Sequence, residues 1–303
     1  METKDINNLM ASNFLSVQVR VDTWGATVSD AALSTELTQA KGAVSGAAKV
    51  TKSLMAGAAH EYKQAKAAYD SVRTFVYERT LPYVTGNSDG ARKGPRLLPT
   101  VNSLEFLKDY TAMTKDAESK LNDLCAVYTQ RMAEALRCQG ALTDASQYPD
   151  VDEVRRKFSI SLTVLPVPDT ADFSRGMIPP AIAEALGSRL AQQQSSAMSI
   201  AMDDMKLRLL KETRRIAEQL GKAGREESTR LYDSLIGNIR QITGLLKASY
   251  IGDNEEVTDL ITRIETELCP HNTEVYKNNP NLAKQTAKQA EDISKLIDGI
   301  SFF

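Results

Sequence analysis

The sequence predicts a mainly α protein, built from long antiparallel helices in a coiled-coil-like bundle together with a small two-stranded β element. Three observations lead there. Apolar residues recur at three- and four-residue spacings along most of the 303 residues. Only two stretches alternate with the period of a strand. Aromatic residues are 6% of a chain that is 42% hydrophobic, which favours helix seams over a dense aromatic core.

The first strand lies in FLSVQVRVDTW, residues 14–24, where Leu15, Val17, Val19 and Val21 oppose Ser16, Gln18, Arg20 and Asp22. Its partner is SISLTVLPVPD, with Ile160, Leu162 and Val164 on one face. Residues 14–23 are therefore expected to pair with 159–165. A ribbon of two strands is marginal by itself, so helices cover its apolar face or another chain extends it.

Between the strands, residues 58–79 place Tyr62, Ala65, Tyr69, Val72 and Val76 on one stripe. It stops before Pro82, because the residue preceding a proline is pushed out of the helical region. After TLPYVTGNSDGARKGPRLLP, residues 80–99, Asn102 and Glu105 have capping-box spacing. A heptad-like rhythm then runs from Leu104 through Leu121, Leu124 and Tyr128 to Leu136. Some forty residues of helix would span about 60 Å, which calls for an antiparallel partner.

The downstream helices are the candidates. They follow the linker PVPDTADFSRGMIPP, whose last proline suits a first helical turn. Residues 181–249 carry a seam from Met202 and Met205 through Leu209, Ile216 and Leu235 to Leu246, divided at Gly221 and Gly224. A shorter helix is expected at 254–268. The last runs from Pro280, behind an Asn279 cap, to Ile300, with Ala283, Ala287, Ala290, Ile293 and Ile297 on its stripe. Two regions are expected. Residues 1–175 form an α+β domain with a long helical hairpin, and 176–303 form a helical region that packs on it or mediates oligomerisation.

The net charge of −2 gives no overall attraction to nucleic acid or an anionic membrane. Cys125 and Cys138 fall on one helix about 20 Å apart, beyond bridging distance, and reduced thiols fit a cytoplasm. The N-terminus lacks the pattern of a signal peptide, and no window approaches ~18 consecutive apolar residues. A soluble intracellular protein is the expectation.

Catalytic chemistry is hard to find. His60 and His271 are the only histidines. Cys269-Pro270-His271 is the only soft-ligand cluster, and zinc needs three or four ligands. Asp203 and Asp204 are adjacent on a helix and do not converge. Trp24 reads as a core anchor closing the first strand in preference to a binding platform, and the final Phe302-Phe303 as packing back on the protein in preference to docking on a partner as a linear motif. No catalytic residue, cofactor or metal is expected. Cations do gather: Arg79, Arg92, Lys93 and Arg96 converge on one loop with only Asp89 opposing them, an anion- or partner-contact surface or a charged connector. A secondary basic cluster, Lys206, Arg208, Lys211, Arg214 and Arg215, includes Glu212 and is followed by Glu218.

Taken together, Trp24-Gly25, TLP, RLLP, Tyr148-Pro149, Lys157-Phe158 and VLPVPDTADF resemble an uncharacterised family of bacteriophage and prophage proteins, over about residues 14–175. The chain departs from the family at Tyr83, where tryptophan is common, and in a longer loop. The resemblance implies a protein of the infected bacterial cytoplasm, encoded near a MoxR-type AAA+ ATPase and a von Willebrand A domain protein, with no catalytic residues to carry over. The leading expectation is a non-enzymatic helical scaffold or adaptor of such an ATPase module, a homo-oligomer in protein–protein interaction. The alternative is a nucleic-acid-binding protein using the basic 79–96 loop.

Overall fold

The computed structural model describes residues 3–83, 94–175, 178–225 and 230–302. The chain is mainly helical, and it divides into two compact units, each with its own apolar core. Unit 1 comprises 1–18, 76–106 and 162–303; unit 2 comprises 19–75 and 107–161. This differs from the expected division at residue 175. Residues 1–18 and 76–106 share a core with the C-terminal helices, so the boundary follows packing rather than chain order.

Helix α1 (Thr3–Asn13) leads into β1 (Phe14–Asp22), and β4 (Leu81–Pro82), β5 (Arg96–Pro99) and β6 (Ser159–Pro166) complete a sheet of order β4-β5-β1-β6. The expected neighbours β1 and β6 are adjacent, but in a four-stranded sheet rather than a ribbon. The added strands are the TLP and RLLP ends of the proline-rich stretch. All four β5 residues are buried, so no polar–apolar alternation marks the strand. It pairs antiparallel with β1, Phe14 opposite Pro99 and Val17 opposite Arg96, and with β4 on its other side. Pro82 sits in the two-residue edge strand, where its missing N–H breaks no central ladder.

The body of unit 1 is helical: α6 (Pro180–Gly224), α7 (Ser234–Ser249), α8 (Glu255–Arg263), α9 (Thr273–Asn278) and α10 (Pro280–Gly299). Proline opens α6 as expected. Gly221 does not divide the helix; α6 continues through it and ends at Gly224. Its inner stripe, Met198, Met202, Met205, Leu209, Ile216 and Leu220, packs in one core with Ala283, Ala287, Ala290, Ile293 and Ile297 of α10. Burying one such large apolar side chain contributes about 1.5–3 kcal/mol. The small residues let the helices approach: Ala287 Cβ lies 3.9 Å from where a Cβ on Gly221 would stand, and a Cβ on Gly224 would come within 2.9 Å of the Lys284 backbone. The Asn279 side chain caps α10 by accepting from Leu282 N at 3.1 Å.

Unit 2 holds β2 (Thr27–Asp30) paired antiparallel with β3 (Val50–Ser53), α2 (Ala31–Ala40), most of α3 (His60–Arg79) and α4 (Ser103–Gln139), and α5 (Val151–Arg156). Trp24 is buried at its centre, edge-on to Tyr62 at 5.6 Å and to Tyr128 at 6.0 Å between ring centroids. Three buried phenols find backbone carbonyls: Tyr62 Oη donates to Trp24 O, Tyr128 Oη to Pro149 O and Tyr148 Oη to Leu54 O, at 2.7–2.9 Å. The Arg131 guanidinium grips the Glu61 carboxylate with two bonds, Nε to Oε2 at 2.7 Å and a second to Oε1 at 2.5 Å.

Candidate functional site

The basic residues around the 80–99 stretch are the natural place to look for a contact surface, and the end of α3 organises those that the structure describes. A helix leaves its last carbonyls without intrahelical partners and carries partial negative charge there. Arg96, on the buried strand β5, supplies donors: Nε to Thr80 Oγ1 at 2.6 Å, and an Nη to Thr80 O at 2.8 Å and Tyr77 O at 3.3 Å. Its guanidinium also lies 4.7 Å above the Tyr77 ring. Arg208, on α6, donates to the same Tyr77 carbonyl at 2.9 Å and pairs with Asp204 at 2.7 Å. Two arginines thus close the C-terminal end of one helix.

Arg96 is 4% exposed. Burial, followed by the like charge of Arg208, brings its pKa down to about 10. That corrects its assignment to a contact surface, because the guanidinium is committed to internal carbonyls. Arg79 is half-buried and stands 3.9 Å from Glu105. Arg92 and Lys93 lie outside the described residues.

The secondary cluster does not form a patch either. Lys206 donates to the carbonyls of Asp298 and Ile300 at the end of α10, at 3.0 and 2.8 Å. Arg214 pairs with Asp298 at 2.8 Å, and Arg215 lies 3.4 Å from Glu212. Lys211 is exposed on the rim of a cleft of about 240 Å³ that Tyr77, Arg208 and Glu212 also line. Glu212 is only 6% exposed and accepts from Asn238 at 3.3 Å. This buried carboxylate was not singled out in the sequence, where it looks like one acid among solvated bases.

The other candidates are structural. The Arg240 side chain donates to the carbonyls of Cys269 and His271 and ties down the Cys269-Pro270-His271 turn. Burial pushes the Cys269 and Cys125 thiols up, away from the reactive thiolate. Among the described residues no three His, Cys, Asp or Glu side chains gather as a metal site, and no helix is long and apolar enough to cross a membrane. Phe302 packs into the unit 1 core; Phe303 lies outside the described residues.

Apolar side chains point outward elsewhere. Ile182, Ile200 and Leu207 of α6 are 52%, 41% and 67% exposed. Spacings of eighteen and seven residues put all three on one line along the helix, opposite its buried stripe. No family model, no curated protein and no solved structure matches the chain.

Proposed function

We propose that this protein is a non-enzymatic helical interaction component, and that the outer face of α6 is where a partner helix packs. One observation carries this reading: α6 has two apolar lines, one buried in its own unit and one, Ile182–Ile200–Leu207, facing solvent. A helix that packs only on its own core needs the first alone. The second line has intervals of eighteen and seven residues, and its Ile200–Leu207 interval is one heptad step of the kind a coiled-coil-like seam with another helix uses. The long-helix bundle expected from the sequence belongs to the same proposal.

The family resemblance supplies the first partners to try, a MoxR-type AAA+ ATPase and a von Willebrand A domain protein, with the chain as their adaptor in the infected cytoplasm. Nucleic-acid binding has less support, since Arg96, Arg208, Lys206 and Arg214 all have internal partners.

The test compares wild-type chain with an Ile200→Glu/Leu207→Glu variant in affinity purification from infected cells, followed by reconstitution of the captured partner from purified components. Retention by wild type and loss by the variant, with circular dichroism unchanged, is the expected result. A partner held equally by both would overturn the placement on α6.

A further inference from the structure

The four-stranded sheet treats its two edges differently. At one, β4 is two residues long and ends in a proline, two common means of keeping an edge from pairing. At the other, β6 is eight residues long, SISLTVLP, and carries no charge in a chain that is 25% charged. Among the described residues its backbone makes no hydrogen bond outside the sheet's own ladder. Thr163, Val164, Leu165 and Pro166 are all exposed. A strand of this kind offers unpaired N–H and C=O groups to any strand that fits its side-chain pattern.

We propose that β6 pairs antiparallel with β6 of a second copy of this chain, continuing the sheet across a two-fold axis. The proposal rests on the interaction reading above and names one partner for it. The pattern of the strand itself points to a second copy. It is symmetric about Leu162: hydroxyl residues Ser161 and Thr163 on either side, then β-branched Ile160 and Val164. In an antiparallel register centred there, Leu162 faces its own copy, Ile160 meets Val164 and Ser161 meets Thr163. Across residues 160–164, apolar side chains then line one face of the joined sheet and hydroxyls the other, with Leu165 beyond them on the hydroxyl face. A two-fold contact sets the same strand against itself, so each residue must suit its mirror position, and the five residues 160–164 do, while Ser159 meets Leu165 at the end of the match. The flanks agree in sign. Arg155, Arg156 and Lys157 precede the strand, and Asp169 and Asp172 follow it. Antiparallel pairing brings the basic entry of one copy towards the acidic exit of the other, with Lys157 also holding Glu153 at 3.0 Å.

The experiment uses the full chain. Light scattering should return twice the 33.2 kDa chain mass, and Thr163→Lys should return the monomer with unchanged circular dichroism. Should that variant misfold, cysteine pairing decides. Directly opposed residues of an antiparallel pair lie about 4.5–5.5 Å apart between Cα atoms. A mixture of Ser161→Cys and Thr163→Cys proteins should therefore form the 161–163 disulfide under mild oxidation, identified by peptide mass to set aside exposed Cys138. Neither variant alone should cross-link through its new cysteine, because position 161 would stand about 8 Å from its own copy, two residues along the strand and out of bridging range. A strict monomer, a dimer that survives Thr163→Lys, or cross-linking of either variant alone in place of the mixture would overturn the proposal. None of these would touch the α6 seam, which the Ile200→Glu/Leu207→Glu comparison tests separately.

Discussion

Replacing Arg96 by alanine should destabilise unit 1 without removing any surface contact. The Thr80 carbonyl, on a residue with no exposure, loses its Arg96 donor at 2.8 Å, and stranding a buried acceptor costs about 1–3 kcal/mol. The Tyr77 carbonyl keeps Arg208 at 2.9 Å and is not stranded. The guanidinium–ring contact adds about 0.5–2 kcal/mol. Against this, truncation also relieves the desolvation of a buried charge, so the terms do not simply add. A net loss of about 1–4 kcal/mol follows. Arg96→Lys keeps the charge but cannot fork between Thr80 Oγ1, Thr80 O and Tyr77 O, and should lose roughly half as much. Urea unfolding of wild type and both variants measures this, provided the m values agree. A loss below about 0.5 kcal/mol for Arg96→Ala, the scale of an ordinary surface substitution, would refute the helix-closing role. So would a variant of native stability that had lost a binding partner.

In unit 2, Gly57 adopts φ +84°, and a Cβ there would come within 2.7 Å of Cys138 Sγ. Gly57→Ala should therefore cost about 1–3 kcal/mol in backbone strain, plus the clash, and Cys138→Ala should relieve only the Sγ part of that clash, because Cys138 Cβ would still stand 2.8 Å from the new Cβ; full additivity in a double-mutant cycle of thermal melts would contradict the Sγ contact. Arg131 holds the Glu61 carboxyl below its ordinary value, so this pair stabilises the fold above the usual carboxylate range, and its contribution is lost as pH falls through the lowered folded value. Glu61→Gln should flatten that acid limb of the stability–pH curve, and an unchanged limb would count against the pair. Thiol labelling of the native protein should modify exposed Cys138 first and Cys269 more slowly, since burial raises the latter's pKa; equal rates would contradict its burial.

Much of the helical architecture could be read from the sequence because helices broadcast a long period. The stripes Tyr62–Val76 and Ala283–Ile297 are buried as spaced, and the Asn279 cap is in place. The strands were less legible in proportion to their length and burial. β1 and β6 alternate and were found. β5 is four residues buried on every side and shows no alternation, while β2 and β3 are four residues each and half-exposed, so nothing apolar recurs. The basic loop misled at Arg96 for a related reason. An arginine beside Leu97 and Leu98 in a run that turns out to be a central strand goes inward with it, and only the tertiary fold brings the end of α3 within its reach. The dispersal of the α6 cations has the same origin: their partners Asp298, Ile300 and Tyr77 are distant in sequence.

The outward line on α6 is tested most directly by a photo-crosslinking amino acid placed at Leu207 in cells, with the same group at exposed Lys288 on α10 as the reference. A discrete protein adduct at 207, identified by mass and several-fold above that at 288, is the result expected of a helix whose second seam is occupied. Equal, diffuse labelling at the two positions would mean that nothing packs there, and that Ile182, Ile200 and Leu207 are merely apolar residues left in water.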